Sequence, residues 1–267
     1  MLGYITWNVD PILFSIGNIH VHWYGLMWGF GFLVGYELIS RIFKHEKYPE
    51  DWADKIFIYM AIGTIIGARI GHCLFYGWEY YSSHPIDILK VWEGGLSSHG
   101  GAIGILIAMY FFAKYVTKKN YLWVFDRLVM PIAFCGACIR FGNLMNSEIY
   151  GHPTTMPWGF IFVRNGETLP CHPTQIYEML YCLVALGTTS FLYWKKQAYK
   201  HEGVIFGTFL IIVFLTRFLL EFIKNDQESF EANMLLNMGQ ILSIPFILWG
   251  LWLFYRAYKK TPNIPNK

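Results

Sequence analysis

The chain has 267 residues, of which 55% are hydrophobic, 19% aromatic and only 15% charged, and its formal net charge is +3 at pH 7. About a quarter of the residues of a soluble domain are charged, so this composition argues against an ordinary soluble protein. The small positive charge comes from loop lysines and arginines and gives no reason to expect a nucleic-acid partner. We therefore expect a protein whose natural solvent is lipid.

Long apolar blocks recur along the chain in lengths that suit membrane-spanning helices. A helix needs about 20 apolar residues to cross a hydrocarbon core of roughly 30 Å. The blocks lack the period-two alternation that barrel strands require. The sequence therefore predicts an all-α integral membrane protein with about seven transmembrane helices. The predicted spans are 21–43, 55–76, 97–116, 122–139, 175–194, 203–223 and 236–255.

The distribution of basic residues predicts the orientation, because Lys and Arg near span ends are retained on the cytoplasmic side. Most of the 21 Lys and Arg residues lie in alternate connections and in the C-terminal tail, at 41–55, 114–119, 195–200 and 256–267. The other connections hold only Lys90, Arg140, Arg164 and Lys224. We therefore expect the N-terminus outside and the C-terminus in the cytoplasm. No Lys or Arg precedes Arg41, so we expect no cleaved signal peptide.

The chain carries no linker, low-complexity tract or internal repeat, which predicts a single polytopic membrane domain over residues 1–267. Two outside-facing connections, at about 77–96 and 140–174, are rich in Trp, Tyr, Pro, Gly and His, as expected at a membrane interface. Five cysteines are too few for a disulfide framework. No metal-ligand spacing occurs, so we expect no metal and no cofactor.

Charged residues inside spans cost several kcal/mol by insertion scales, so each one needs a partner or a function. Arg217 and Glu221 are four residues apart, lie on one helix face and can pair. One interpretation is an ion pair that holds two helices together. The other is that the two residues belong to a functional site. For the adjacent Asp126 and Arg127, at the cytoplasmic end of the fourth span, a capping role or a local ion pair is favoured over catalysis.

The densest polar cluster lies at the outer exit of the fourth span, where Arg140, Asn143, Asn146 and Glu148 precede Gly151. A polar helix end with a glycine stop would look similar. However, the guanidinium of Arg140 has five donors in a fork that suits phosphate, and it emerges at headgroup depth. Phosphate recognition is therefore favoured.

His99 opens the third span and is followed by two glycines, which permit close approach of backbone or ligand. A lone histidine is more often a hydrogen-bonded structural residue. Its predicted depth matches that of Arg140 and Arg217, however, and an imidazole is a natural base for a thiol or hydroxyl. At the start of the fifth span, Gln175 and Glu178 share one helix face.

Together these motifs resemble the bacterial prolipoprotein diacylglyceryl transferases. The resemblance runs in order through the chain, in the segments 23–26, 99–101, 140–151, 172–178, 217–222 and 238–243. Three positions depart from the family pattern: Ile139 stands in place of a usual glycine, Leu144 in place of an aromatic residue and His22 in place of a frequent arginine. These differences affect helix packing, whereas the polar positions are kept.

The resemblance implies a transferase enzyme that acts on phosphatidylglycerol. It would transfer the sn-1,2-diacylglyceryl group to the lipobox cysteine of a prolipoprotein signal peptide, form a thioether and release glycerol 1-phosphate. This is the first step of lipoprotein maturation. The location implied is the bacterial cytoplasmic (inner) membrane, with the active site toward the outer leaflet. The leading alternative is a small-solute or lipid transporter, in which buried charges line a pathway.

On this reading, each candidate residue has a role. We expect His99 to deprotonate the thiol, and Arg140 and Arg217 to bind the phosphoglycerol headgroup. The residues expected to fix the lipid are Tyr24, Asn143 and Asn146. The supporting residues are Glu148, Gly151 and Glu221, of which the two glutamates would orient the arginines.

Overall fold

A computed structural model of the chain describes residues 4–225 and 234–260. Within these residues, seven helices are long and apolar enough to cross a membrane, which confirms the predicted fold class. Helix α3 is too short to span, and a π-helical turn extends α4 to Thr117. The helices are α1 (Trp23–His45), α2 (Asp51–Phe75), α3 (Trp78–Ser83), α4 (Ser98–Phe111), α5 (Tyr121–Met145), α6 (Thr174–Trp194), α7 (Val204–Leu220) and α8 (Met238–Lys260).

Four short strands accompany the helices: β1 (Ile5–Trp7), β2 (Ile12–Ile16), β3 (Ile19–His22) and β4 (Phe160–Phe162). Strand β1 pairs in parallel with β4, and β2 forms an antiparallel hairpin with β3. In the described part of the chain these are two separate pairs, and neither closes into a barrel. The Trp7 indole N–H donates to the carbonyl oxygen of Leu144 at 2.9 Å, which anchors the N-terminal segment beside the end of α5.

The chain divides into two compact units. The first consists of the residues up to 38 together with those from 125 onwards, and the second consists of residues 39–124. The first unit thus contains α6, α7, α8 and most of α1 and α5; the second contains α2, α3 and α4. That the chain forms one membrane domain, with its N-terminus outside, stays a prediction.

In the second unit, α2 and α4 pack backbone against backbone at a set of glycines. A Cβ atom on Gly67 would lie 2.7 Å from the Cα atom of Gly104, and one on Gly71 would lie 2.6 Å from the Cα atom of Gly100. Real side chains do not tolerate such distances, so only glycine permits this approach. Close packing of small residues is a usual way for membrane helices to associate, because lipid supplies no hydrophobic drive between them.

Arg69, on α2, holds the connection that follows α3. The side chain is buried, and its nitrogens donate to the carbonyl oxygens of Asp87 at 2.5 Å, Ile88 at 2.9 Å and Gly94 at 2.6 Å. Its guanidinium also lies 5.1 Å from the centre of the Tyr81 ring. A buried charge needs this density of partners. The contacts give Arg69 a structural role in fixing the 77–96 connection.

In the first unit, Asp126 caps the start of α7. Its carboxylate oxygens accept hydrogen bonds from the backbone N–H groups of Gly203 at 2.6 Å and Phe206 at 2.8 Å. The first turn of a helix has N–H groups without helical partners, and a carboxylate satisfies them well. The capping role expected for this residue is therefore confirmed, and the cap joins α5 to α7.

The end of α5 differs from its predicted position. We expected the span to stop at 139, but the helix continues to Met145, so Arg140 and Asn143 lie inside it. The prediction was wrong because it ended the span where hydropathy falls, at these two polar residues. Both residues have partners within the protein, so the helix continues through them. The helix ends where Ser147 takes a left-handed φ of 58°, with N–H groups of Ser147 and Glu148 donating back to the carbonyls of Leu144 and Asn143. This is a Schellman ending, and Gly151 is not its stop residue.

The glycine contact between α2 and α4 gives a stability prediction. Gly67→Ala places a Cβ atom against the backbone of α4, and overpacking of this kind costs about 1–3 kcal/mol. We expect a lower thermal unfolding midpoint for the detergent-solubilised protein. Gly187→Ala, on α6, is the matched control, since its Cβ atom would meet nothing within 4 Å. Equal midpoints for the two variants would contradict the close packing described for α2 and α4.

Candidate active site

Five charged side chains form a continuous series where α5, α6 and α7 end or begin. The Nε atom of Arg140 lies 2.7 Å from Oε2 of Glu178, whose other oxygen is 3.3 Å from Nζ of Lys224. The same Lys224 nitrogen is 3.2 Å from Oε1 of Glu221, and Nε of Arg217 is 3.6 Å from that oxygen. Positive and negative charges therefore alternate from Arg140 to Arg217. We call these five residues the charge series.

Burial differs between the middle and the ends of the charge series. The side chains of Glu178, Lys224 and Glu221 are 0%, 2% and 7% exposed. Those of Arg140 and Arg217, at the two ends, are 21% and 37% exposed. Buried charges are tolerated only when partners surround them, and the three inner residues provide partners for one another. The arginines are left as the accessible, positively charged ends.

The accessible arginines retain donors for a ligand. A guanidinium group has five N–H donors in a planar fork. Nε of Arg140 forms an ion-pair contact of 2.7 Å with Glu178, and Nη1 donates to Oδ1 of Asn143 at 3.2 Å. Arg217 has its carboxylate contact through Nε. The outer edges of both forks suit the planar, paired recognition of phosphate oxygens.

A branch of amide groups connects Arg140 to Glu148. Nδ2 of Asn143 donates to Oε2 of Glu148 at 3.1 Å, and Nδ2 of Asn146 donates to Oε1 at 3.0 Å. The carboxylate that contacts Arg140 directly is that of Glu178, and Glu148 is linked to the arginine through Asn143. This corrects the expectation that Glu148 orients Arg140, whereas the expected pairing of Arg217 with Glu221 is present.

The turn that carries Glu148 is held by three side chains. The carbonyl oxygen of Ser147 accepts a hydrogen bond from Asn165 at 2.7 Å, that of Glu148 accepts one from the amide of Gln175, and that of Ile149 accepts one from the Thr174 hydroxyl at 2.7 Å. Ile149 has a φ of 57°, which is costly for a β-branched residue. The first turn of α6 therefore holds a backbone conformation that the turn would not adopt by itself.

Gly151 allows the segment after α7 to pack against this turn. Its N–H group donates to the carbonyl of His172 at 2.9 Å, and its carbonyl accepts from the Asn225 side chain at 3.3 Å. A Cβ atom here would lie 2.9 Å from Thr174 Cγ2, so a larger residue would force the segments apart. Gly151 forms a β-bridge with Lys224, and it thereby helps to place that lysine.

The start of α8 supports Glu221 from the other side. The side chain of Asn237 donates to Oε2 of Glu221 at 3.1 Å. Asn237 and Gln240 also form a reciprocal capping box, with hydrogen bonds of 2.9 and 3.0 Å between each side chain and the other residue's backbone N–H. A Cβ atom on Gly239 would lie 2.7 Å from Cδ of Glu221, so the glycine makes room for the carboxylate.

Tyr24 packs against α5 at Gly142, two residues from Arg140. It is the second residue of α1, and its ring packs over Gly142, where a Cβ atom would lie 2.8 Å from Cδ2 of the tyrosine. Gly142 lies between Arg140 and Asn143 on α5. The lipid-binding role of Tyr24 stays a prediction.

Tyr150 and His172, in the 140–174 connection, are also held by hydrogen bonds. The Tyr150 hydroxyl donates to Glu167 at 2.6 Å, and burial together with this carboxylate raises the pKa of the tyrosine above its ordinary value. Burial, followed by the charge of His152, lowers the pKa of His172, so its ring is neutral at pH 7. One ring nitrogen of His172 lies 3.2 Å from the Tyr177 hydroxyl. These contacts are structural supports for the connection.

His99 belongs to the second unit, where it lies near the start of α4 and is exposed. A cavity of about 350 Å³ is lined by His99, His72, Tyr76, Leu96 and Ser97. Ser97 is the N-cap of α4, and its hydroxyl accepts from the N–H of Gly100 at 3.3 Å. The imidazole is accessible from this cavity, and its proposed catalytic role stays a prediction.

Sequence reasoning missed two members of the charge series. Glu178 was noted for its helix face, but its partner on α5 could not be read from spacing. Lys224 was counted as an outer loop charge, although it is 3% exposed. The available signal was its position three residues after Glu221, which allows the two side chains to meet on one helical turn.

The seven apolar helices define a multi-pass membrane protein. The charge series, with an arginine at each end, gives it a candidate anion site where α5, α6 and α7 end or begin. Over residues 11–256, the chain matches the family model described as prolipoprotein diacylglyceryl transferase. It belongs to that family, which is a family of transferase enzymes.

Several relatives are similar to the chain over nearly its whole length, and each is named phosphatidylglycerol–prolipoprotein diacylglyceryl transferase. A protein of Porphyromonas gingivalis is 46% identical over 271 residues, with 96% of both chains covered. One of Tolumonas auensis is 46% identical over 256 residues and covers 96% of this chain and 98% of its own. One of Bacteroides fragilis is 37% identical, with 96% and 97% covered.

The turn at Glu148 gives a prediction about its support by α6. Thr174→Val keeps the shape of the side chain but removes the hydroxyl, leaving the carbonyl of Ile149 unpaired, at a cost of about 1–3 kcal/mol. We expect faster amide hydrogen exchange at residues 147–151 and reduced activity. Thr174→Ser keeps the hydroxyl and should retain slow exchange. If exchange in Thr174→Val is as slow as in Thr174→Ser, the hydroxyl does not hold this turn.

Proposed function

We propose that this protein transfers the sn-1,2-diacylglyceryl group of phosphatidylglycerol to the lipobox cysteine of prolipoproteins, forming a thioether and releasing glycerol 1-phosphate. Family membership and the names of the relatives support this assignment. The observation that carries it is the pair of accessible arginines at the ends of the buried charge series.

The reaction requires stabilisation of a leaving anion. The thiolate sulfur attacks the sn-3 carbon of the diacylglyceryl group, and a carbon–sulfur bond forms as the carbon–oxygen bond to phosphate breaks. The electron pair leaves with the oxygen, so the negative charge of the leaving phosphate increases. Arg140 and Arg217 would bind this phosphate and stabilise the charge, an effect that is strong at a site shielded from water.

The remaining candidate residues have supporting roles in this proposal. Tyr24, Asn143 and Asn146 would fix the lipid headgroup beside Arg140. Glu221 orients Arg217 through their contact at 3.6 Å, and Glu148 acts through Asn143. Gly151 contributes by permitting close packing next to the site.

The attacking thiol needs a base. A cysteine thiol has an ordinary pKa near 8.5, so at neutral pH most of it is protonated and only a small fraction is the reactive thiolate. We propose that His99 accepts the thiol proton. A neutral imidazole can accept a proton near neutral pH, which suits it to this transfer.

The orientation and location follow from the same proposal. The ends of α5 and α7 and the starts of α6 and α8 lie on one side of a membrane, because successive spans alternate in direction. The scarcity of Lys and Arg in the connections on this side supports an outward orientation, with the N-terminus outside. We propose the bacterial inner membrane, with the site toward the outer leaflet.

Transport is the other function that the sequence left open, and the names of the relatives give it no support. The described members of the charge series also lie at helix ends rather than through the depth of the helices. This arrangement favours a site that is open on one side of the membrane.

The arginine roles are tested by measuring transfer of labelled phosphatidylglycerol to a lipobox peptide. We expect Arg140→Ala and Arg217→Ala each to lower the rate constant by about 100-fold or more, because each removes donors to a developing charge. Arg164→Ala removes the same charge from an exposed position and should keep near-normal turnover. A peptide with Ser in place of the lipobox Cys should give no thioether. Near-normal turnover in both Arg140→Ala and Arg217→Ala would rule out the phosphate role.

The proposed role of His99 predicts a change in pH dependence. At neutral pH the base is needed because little of the peptide thiol is ionised, whereas near its ordinary pKa of about 8.5 much of the thiol is thiolate without help. His99→Gln should therefore lower the transfer rate most at neutral pH, and the deficit should shrink as the pH is raised toward about 8.5. A slower variant whose profile keeps the wild-type shape would show that His99 acts through hydrogen bonding or packing rather than as the base.

A further inference from the structure

Lys224 is the one cation inside the buried part of the charge series, and no step of the proposed reaction uses it. Its ammonium nitrogen lies 3.3 Å from a carboxylate oxygen of Glu178, on α6, and 3.2 Å from one of Glu221, at the end of α7. The side chain is 2% exposed, so water contributes little to its solvation. A lysine is rarely buried to this degree without a specific pair of partners.

The ammonium determines how much positive charge remains at the ends of the series. Glu178 and Glu221 are the carboxylates that hold Arg140 and Arg217. Within the charge series, with Lys224 included, three cations and two anions leave one net positive charge; the carboxylate of Glu148, linked to Arg140 through Asn143, lies outside this count. Without Lys224, two carboxylates would neutralise two arginines, and the series would attract an anion much less strongly.

Lys224 also affects the spacing of the arginines. It contacts both supporting carboxylates at once, so the position of Glu178 is coupled to that of Glu221. Its backbone forms a β-bridge with Gly151, which fixes the lysine relative to the turn that carries Glu148. Movement of Lys224 would therefore change the distance between the two guanidinium groups.

We propose that Lys224 is a positioning residue that holds the two arginines at the spacing of a single phosphate group and supplies the excess positive charge that attracts it. The inference rests on the proposed function, since phosphatidylglycerol provides the phosphate. Lys224 itself is too deeply buried to touch the lipid and acts through Glu178 and Glu221.

The test measures kcat and KM of the full-length protein at varied mole fractions of phosphatidylglycerol in detergent micelles, with a lipobox peptide as acceptor. Lys224→Gln removes the charge and keeps a polar side chain. We expect it to raise KM for the lipid by about tenfold, as expected for the loss of one charge close to a phosphate. Lys224→Arg keeps the charge and should stay within about threefold of the wild-type KM.

The matched control is Lys55→Gln, which removes a lysine from an exposed pair with Asp51. Such pairs contribute little, so KM and the thermal unfolding midpoint should not change. A purely structural role for Lys224 predicts that Lys224→Gln lowers the midpoint and the amount of active protein while KM stays at the wild-type value. That result would overturn the proposal.

If Lys224→Gln does not fold, Lys224→Arg still tests the inference, because a KM more than about threefold above wild type would show that a cation at this position is not sufficient. The wild-type protein distinguishes failure of the proposed function from failure of the inference. If the proposed function is wrong, the wild-type protein forms no thioether product at all. If only the inference is wrong, wild-type transfer is intact.

Discussion

Charge in the apolar part of a membrane protein is costly unless opposite charges or hydrogen-bond donors surround it. The residues around the ends of α5, α6 and α7 meet this constraint by alternation, with Glu178, Lys224 and Glu221 buried between Arg140 and Arg217. The inner three are nearly inaccessible, so the remaining donors of the series lie at its two ends. The arrangement that makes these charges tolerable also leaves the two arginines as its accessible ends.

Much of the neighbouring backbone serves this arrangement. The first turn of α6 holds the strained turn at Ile149, the capping box of α8 places Asn237 against Glu221, and Gly151 lets the segment at Lys224 pack closely. These supports come from distant parts of the sequence. In the proposed reaction, a rigid framework of this kind would reduce the reorganisation that accompanies charge development at the phosphate.

The seven spans could be predicted from the sequence because hydropathy over about 20 residues is a strong local signal. The pairing of Arg217 with Glu221 followed from their spacing on one helix, and the capping role of Asp126 from its place at a span end. The end of α5 was misplaced because Arg140 and Asn143 are polar but have partners in the fold. Glu178 and Lys224 were missed because their contacts depend on helices meeting in space, which a single sequence does not encode locally.

The most direct test of the account is a structure of the protein with phosphatidylglycerol bound. The account predicts that the headgroup phosphate lies within hydrogen-bonding distance, about 2.7–3.2 Å, of guanidinium nitrogens of both Arg140 and Arg217. Glu178, Lys224 and Glu221 should keep their mutual contacts behind the two arginines. A headgroup bound elsewhere, with neither arginine in contact with its phosphate, would contradict the account.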